Sequence, residues 1–328
     1  MRIRFKHIAI LEALVLIILV GIMINNYMHN KKIEEISQTG LLSPRVYTGI
    51  LEPKSHLIVN FKPLKKKLTS FISISNISAS VYVENFRNGA YMGINEKAEF
   101  FPASLNKLPV GILIMRDVEQ GTITLDTLVQ IRDTDRTDSS GDLYKTTEKA
   151  LPLRVVLEKM MKDSDNTALR VLLHYVDLED LQFLLDYYGL EITIDTQRPS
   201  QVDLISPKAM SNLFSSLYFS TVLNPENSEY LLSLITDTEF DIKKIAGITD
   251  DTRIAHKFGV NYYKNNRYFH DCGIMYIDES RIFYCIMTRD IDEDKAAAVI
   301  GAIVKNTYTY VVETRAKLDV YQNQSESS

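Results

Sequence analysis

Apolar side chains recur along this chain with two periods. Over Phe61 to Phe71, Leu64, Leu68 and Phe71 share one helical stripe, and Lys62, Lys65, Lys66 and Lys67 lie off it. That pattern predicts a helix with a solvated lysine face. Ala79 to Glu84 alternates as a strand, Asn88-Gly89 is a hairpin-type turn, and Ala90 to Ile94 returns as a second strand. Ser104 to Glu119 then reads as an apolar helix ending at Gly121. Residues 152–187 are helical, with apolar runs at Val155–Met161, Ala168–Leu173 and Leu181–Leu185, and 207–220 and 226–236 follow as helices. Strand patterns resume at Thr252–Phe258, Cys272–Ile277 and Arg281–Met287. A long helix from Ile291 to about Lys317, capped by Asp290, closes the pattern before a polar tail.

The order of these elements carries an architecture. Both ends of the chain supply strands to one antiparallel sheet, and the helical block is inserted between the second and third strands. An α+β domain of two lobes follows, with a cleft between sheet and helices where a ligand site is expected. Its span is 57–317, with a sheet lobe of 57–102 and 252–317, a helical lobe of 103–251, and a polar tail of 318–328.

Ahead of it the chain is of another kind. Arg2, Arg4 and Lys6 precede Ile8 to Ile24, which is apolar except for Glu12. No small-residue cleavage pattern follows, so the segment reads as an uncleaved signal anchor over 8–27. The basic residues keep the tip, 1–7, cytoplasmic, which puts the rest outside the cell membrane as a single-pass protein. Residues 28–56, with Pro44 and Pro53, read as a stalk. A buried core helix is the alternative for 8–27, and the basic flank and the polar run after it argue against that.

Composition narrows the function. Hydrophobic residues at 45% and charged residues at 24% are ordinary globular values and exclude a wholly disordered chain. A net charge of -5 offers no basic field for nucleic acid. Six histidines are scattered without HExxH or His-x-His, so no dedicated metal site is expected. The two cysteines, Cys272 and Cys285, form no CxxC pair. Hairpin parity puts them on one face of facing strands, where two small core residues is the default and a disulfide the alternative.

Three short motifs fall on the cleft side of this plan. Phe101-Pro-Ala-Ser-Leu-Asn-Lys107 places S-x-x-K at a helix start, where the i, i+3 spacing stacks Lys107 beside Ser104. A neutral lysine there can take the serine proton. Lys162-Asp-Ser-Asp-Asn-Thr-Ala168 places S-D-N at the start of another helix, where a plain helix cap is the competing reading. His256-Lys-Phe-Gly259 puts K-x-G on the first strand after the helical block. Alone, S-x-x-K and K-x-G are weak and S-D-N is moderately specific, but the three together, in this order on these elements, leave chance a poor explanation.

In these motifs the chain resembles the penicillin-recognising serine acyltransferases, and the class A β-lactamase-like group in particular, whose set is S-x-x-K, S-D-N and K-T-G. Ser164-Asp-Asn-Thr-Ala168 is similar to class A, Pro102-Ala-Ser-Leu-x-Lys107 is equally similar to the D-alanyl-D-alanine carboxypeptidases, and Phe269-His-Asp-Cys-Gly-Ile-Met resembles the strand after the K-T-G loop. The resemblance covers about residues 58–314 and implies a three-layer, β-lactamase/transpeptidase-like fold. It also implies an acylated nucleophile at Ser104, a general base at Lys107 and a proton relay at Ser164. Asn166 would hold Lys107 and the substrate amide, Lys257 and Gly259 would line the substrate site, and the backbone N–H groups of Ser104 and Val260 would form the oxyanion hole. β-Lactams or peptidoglycan stem peptides are the implied substrates, and no cofactor is needed.

The departures matter as much. Phe258 replaces the hydroxyl residue of K-T-G, which in the family helps bind the substrate carboxylate, and a bond of that kind is worth about 1.5–3 kcal/mol. Pro109 falls inside the nucleophile helix. The family's Glu-x-x-Leu-Asn loop, whose glutamate activates the deacylating water, has no counterpart between Tyr188 and Ser206. Glu191, Asp195 and Asp203 are the possible substitutes there. The sequence therefore leaves two classes open: an acyl-enzyme former with slow deacylation, as β-lactamase or D,D-peptidase, and a non-turnover penicillin-binding sensor or pseudoenzyme.

Overall fold

The computed structural model of the protein describes residues 15, 16, 18–25, 27, 28, 31 and 60–326, the last stretch without 191, 193–203, 250 and 264. The chain divides into two units, Met1–His56 and Leu57–Ser328. In the first, the described residues are helical, and the side chains of Leu16, Ile18, Met23 and Ile24 are exposed. Among the described residues no helix is long and apolar enough to cross a membrane. Residues 8–14 of the expected anchor and nearly all of the expected stalk lie outside the described residues.

The second unit opens with helix α1, Lys62–Ser75, followed by the hairpin β1, Ser78–Asn85, and β2, Ala90–Ile94. Gly89 turns this hairpin at φ +72°, a conformation that suits glycine. The strands β5, Arg253–Tyr263, β6, Asn266–Ile277, and β7, Ser280–Arg289, complete an antiparallel sheet of order β2-β1-β7-β6-β5. β1 and β7 pair from Ser78↔Arg289 to Asn85↔Ile282, so the two ends of the domain meet at the centre of one sheet, as the sequence pattern predicts.

Cross-strand partners share a face. Val81, Val83, Ile286, Tyr284 and Met275 point one way, onto Leu64 and Leu68 of α1 and Ile300, Ile303 and Val304 of the closing helix α9, Glu293–Glu326. Tyr82, Cys285, Met287, Cys272 and Ala255 point the other way, into the helical lobe. The sheet is therefore the middle of three layers.

The helical lobe holds α2, Lys107–Glu119, the short strands β3, Leu128–Gln130, and β4, Ala150–Pro152, and then α3, Leu153–Lys162, α4, Asn166–Leu173, and α5, Leu178–Tyr188. Helices α6, Pro207–Tyr218, α7, Pro225–Leu234, and α8, Ile242–Ile245, lead back to the sheet. The single block read over 152–187 is thus three helices. The carboxylates of Asp165 and Asp177 cap α4 and α5 and break the run.

Three more features differ from the sequence reading. β5 and β6 are longer than expected because neither added stretch alternates: the end of β5 is open at Asn261 and Tyr262, and the start of β6 is buried on both faces from Tyr268 to Asp271. α9 continues past Lys317 to Glu326, without an apolar stripe to mark it. Cys272 and Cys285 stand directly opposite each other on β6 and β7 and are joined as a disulfide, which corrects the reading of two separate core residues.

Candidate active site

The nucleophile motif is built on two helix types. Ala103–Asn106 forms a 3₁₀ turn, and α2 begins at Lys107. In a 3₁₀ turn side chains at i and i+3 eclipse, so the spacing sets Lys107 directly over Ser104. Lys107 Nζ lies 2.9 Å from Ser104 Oγ. The same split answers the proline question: Pro109 falls in the first turn of α2, where its missing N–H costs no helical bond.

The second motif arrives from α4. Asp165 is its N-cap, accepting the Ala168 N–H at 2.8 Å, so the helix-cap reading is correct for the middle residue of S-D-N. The flanking residues do something else. Ser164 sits at φ +55°, a left-handed conformation uncommon for a residue with a Cβ. Lys107 Nζ is bonded to the Ser164 carbonyl, to Ser164 Oγ at 3.2 Å and to Asn166 Oδ1 at 2.7 Å. Strain of this kind gathers where a chain must aim side chains at a site.

From β5 comes Lys257, whose Nζ donates to Ser164 Oγ at 2.8 Å. Ser164 Oγ thus lies within hydrogen-bond reach of two lysine amines. Both lysines are dry, Lys107 at 1% exposure and Lys257 at 0%. Burial, partly offset by Asp165, pulls Lys107 down to about 7. Burial and then the neighbouring Lys107 hold Lys257 well below the ordinary lysine range. A lysine neutral near pH 7 can accept the Ser104 proton.

Gly259 brings the strand to the serine. A Cβ at this position would lie 2.9 Å from the Ser104 backbone nitrogen. Along β5, His256 N–H points to the outer edge, where it donates to Ile235 O at 2.8 Å. Val260 shares that parity on an unbroken register with β6, so its N–H also faces out of the sheet, toward the Ser104 turn. The Ser104 amide lies in the first turn of the 3₁₀ segment, where N–H groups have no intrahelical acceptor.

Of the residues singled out by sequence, Ser104, Lys107, Ser164, Asn166 and Lys257 are joined by hydrogen bonds, Gly259 packs against the Ser104 backbone, and Val260 follows it on β5. The sequence reading missed the loop that supports them. Ser139 Oγ accepts from Asn166 Nδ2 at 2.8 Å, Ser140 Oγ donates to the Ser164 carbonyl at 3.0 Å, and Leu143 N–H donates to Asp165 at 2.8 Å. Gly141, at φ +77°, permits this approach, since a Cβ there would lie 2.1 Å from Asp165 Oδ2. The run Asp138-Ser-Ser-Gly141 is the local signal for such a turn. Behind β5, buried His256 bridges Thr238 at 2.9 Å and Asp271 at 2.7 Å, and Tyr284 donates to Asp271 at 2.6 Å. Among the described residues, the hydrogen-bonded group around Ser104 contains no carboxylate on its side chains. Glu191, Asp195 and Asp203 lie outside the described residues.

Among the described residues no cluster of metal-ligating side chains occurs. What the site contains is a serine hydroxyl beside a buried lysine of lowered pKa, and a second serine hydroxyl within reach of two lysines, groups that can support acyl transfer.

Comparison with known proteins agrees. The model of the β-lactamase enzyme family matches residues 63–311. No curated protein matches the chain in sequence. Among solved structures, PBP-A superposes with a TM-score of 0.67 at 21% identity, over 77% of this chain and 97% of its own. A PBP-A mutant in an acyl-enzyme complex with penicillin G gives 0.68 at 22% identity, over 80% and 100%. A β-lactamase from Xanthomonas campestris gives 0.68 at 19%, over 77% and 100%. At such identities the likeness is one of fold, β-lactamase/transpeptidase-like with an antiparallel sheet and helices. With three quarters of its length under one family model, the chain belongs to the β-lactamase enzyme family.

Proposed function

We propose that the protein is a membrane-anchored, extracytoplasmic serine hydrolase that forms an acyl-enzyme on β-lactams or D-alanyl peptides and releases it slowly from β-lactams. The observation that carries this reading is the 2.9 Å contact between Ser104 Oγ and a buried Lys107 whose pKa is lowered to about 7. Neutral Lys107 takes the Ser104 proton as Oγ attacks the carbonyl carbon. The Ser104 and Val260 amides take up the charge that develops on the oxygen, an effect worth about 10²–10³ in rate per donor. Ser164 then protonates the leaving nitrogen, and Lys257 holds Ser164 in place.

The relative solved with penicillin G as an acyl-enzyme supports β-lactams as the probe class. Extracytoplasmic placement rests on the basic, apolar N-terminus, and it suits a disulfide, which persists in oxidising compartments. A full-length protein released by simple lysis, without detergent, would count against the anchor.

The deciding experiment is intact-protein mass after mixing with penicillin. One covalent adduct on wild type and none on Ser104→Ala, with unchanged circular dichroism, is the expected result. Equal labelling of both would remove Ser104 as nucleophile.

A further inference from the structure

Ser104 is delivered by a short stretch with few bonds of its own. Phe100 is anchored, its N–H donating to Ile205 O at 2.8 Å and its carbonyl accepting from Ile205 N–H at 2.9 Å. Beyond it, Pro102 has no N–H to offer. Ala103 then stands at φ +48°, a left-handed conformation uncommon for a residue with a Cβ. Such a conformation persists only where the surroundings hold it. Gly259 packs against this kink, since a Cβ there would lie 3.1 Å from Ala103 Cβ. Packing limits the approach of strand and kink but does not orient a peptide.

The directed bond comes from His270 on β6. Its Nε2 lies 2.9 Å from the Phe101 carbonyl oxygen. On the far side of the ring, Thr288 N–H donates to Nδ1 at 3.3 Å. A neutral imidazole carries one proton, so that proton sits on Nε2 and is donated to Phe101. The ring is fully buried and meets Phe100 edge-on at 5.6 Å. Burial pulls its pKa down to about 4, which keeps it neutral around pH 7. Among the described residues, no other hydrogen bond joins residues 101–103 to the sheet. The Phe101 ring is itself stacked on Tyr263 of β5 at 4.7 Å. His270 is also the cross-strand partner of Gly259, so it grips the chain at the level where β5 passes Ser104.

We propose that His270 is a positioning residue for acylation: its Nε2–H holds the Phe101 carbonyl and, through Pro102 and Ala103, fixes where Ser104 Oγ stands against β5. This rests on the serine acyl-transfer reading above. His270 acts through the backbone, three residues ahead of the nucleophile.

Two substitutions separate this role from plain packing, because each reproduces one nitrogen of the ring. His270→Gln carries its amide to the place of Nε2 and keeps a donor for Phe101. His270→Asn carries its amide to the place of Nδ1 and keeps only an acceptor for Thr288 N–H. The full chain, in detergent, is mixed with penicillin over a range of concentrations, and the covalent adduct is followed by quenched flow and intact mass. This yields the acylation rate constant and the affinity of the preceding complex separately. Denaturant titration reads stability. His270→Asn should lower the rate constant by about 10²-fold, the cost of misplacing a reacting group by about 1 Å, with affinity within about two-fold. His270→Gln should stay within about five-fold of wild type. Both variants should lose stability, since each leaves one buried backbone group without its partner. Equal rate constants in the two folded variants, or an asparagine variant as fast as wild type, overturn the proposal and leave Ser104 acylation standing. If either variant does not fold, ¹⁵N-histidine NMR of the wild type at pH 7 decides. An Nε2–H tautomer for His270 supports the proposal, and an Nδ1–H tautomer, which leaves Phe101 without a donor, overturns it. No adduct on wild type overturns the acyl-transfer reading and this inference with it.

Discussion

Lys107 illustrates how much one burial decides. Its ammonium has a hydroxyl, a carbonyl and an amide oxygen for company, all uncharged, and burial is the largest influence lowering its pKa to about 7. Only the neutral amine can accept the serine proton, so acylation should climb as pH rises through 7 and level off about one pH unit above. A stopped-flow profile with penicillin from pH 5 to 9 measures this, and a flat line would exclude Lys107 as the base. Asp165 opposes the shift, because its buried carboxylate favours the ammonium. Asp165→Asn keeps a capping oxygen but removes the charge, so the rise should move to lower pH. The same change weakens a charge-assisted bond to the α4 N-terminus and to Leu143 N–H, at about 1.5–3 kcal/mol in stability by denaturant titration. A lower midpoint with lower stability separates the electrostatic role of Asp165 from its role as a cap.

Between elements, β5 fits closely against the 3₁₀ turn. Gly259 is the point of contact, and Gly259→Ala must part strand and turn by several tenths of an ångström. Such a shift carries the Val260 amide away from the Ser104 turn, where the proposed oxyanion hole lies. Acylation should fall by about 10²-fold, comparable with the loss of an oxyanion donor. The melting temperature should move far less than activity, and equal loss of both would make Gly259 a packing residue only. The sequence made most of this arrangement legible. S-x-x-K fixes its own geometry through i, i+3 stacking, and the alternation of the strands and the stripes of the helices define the sheet, its central pairing and the inserted lobe. What escaped was set by contacts distant in sequence or by segments without periodicity. β3 and β4 are three residues each, too short to alternate. Ser139 and Ser140 act through residues more than twenty positions away. The disulfide depends on a register between β6 and β7 that parity alone leaves uncertain by a residue or two.

At the scale of the molecule, the two lobes of the domain divide the chemistry unevenly. The proposed nucleophile, base, relay and oxyanion donors all lie on elements fixed by the core: the 3₁₀ turn, α2, the start of α4 and β5. On the proposed reading every group that acylation needs is in place. Deacylation needs a water held against the ester and a base to activate it, and general-base assistance is worth about 10²–10⁴ in rate. The segment where the family keeps its glutamate runs from the left-handed Gly189 at the end of α5 to Ile205, which pairs with Phe100 at 2.8 and 2.9 Å, four residues before the nucleophile. Its far end is therefore tied beside Ser104, yet its sequence lacks Glu-x-x-Leu-Asn. Lys107 is a poor replacement, since it is bonded to Ser164 and Asn166 as well as to Ser104. With a chromogenic cephalosporin the protein should give a burst of about one equivalent and then a nearly flat line. Intact mass during the plateau should find the adduct still on Ser104. Sustained hydrolysis on the order of tens per second would mean that Glu191, Asp195 or Asp203 serves as the base, and substituting each by its amide would identify which. A plateau that persists in all three variants leaves acylation as the chemistry that this site completes on β-lactams.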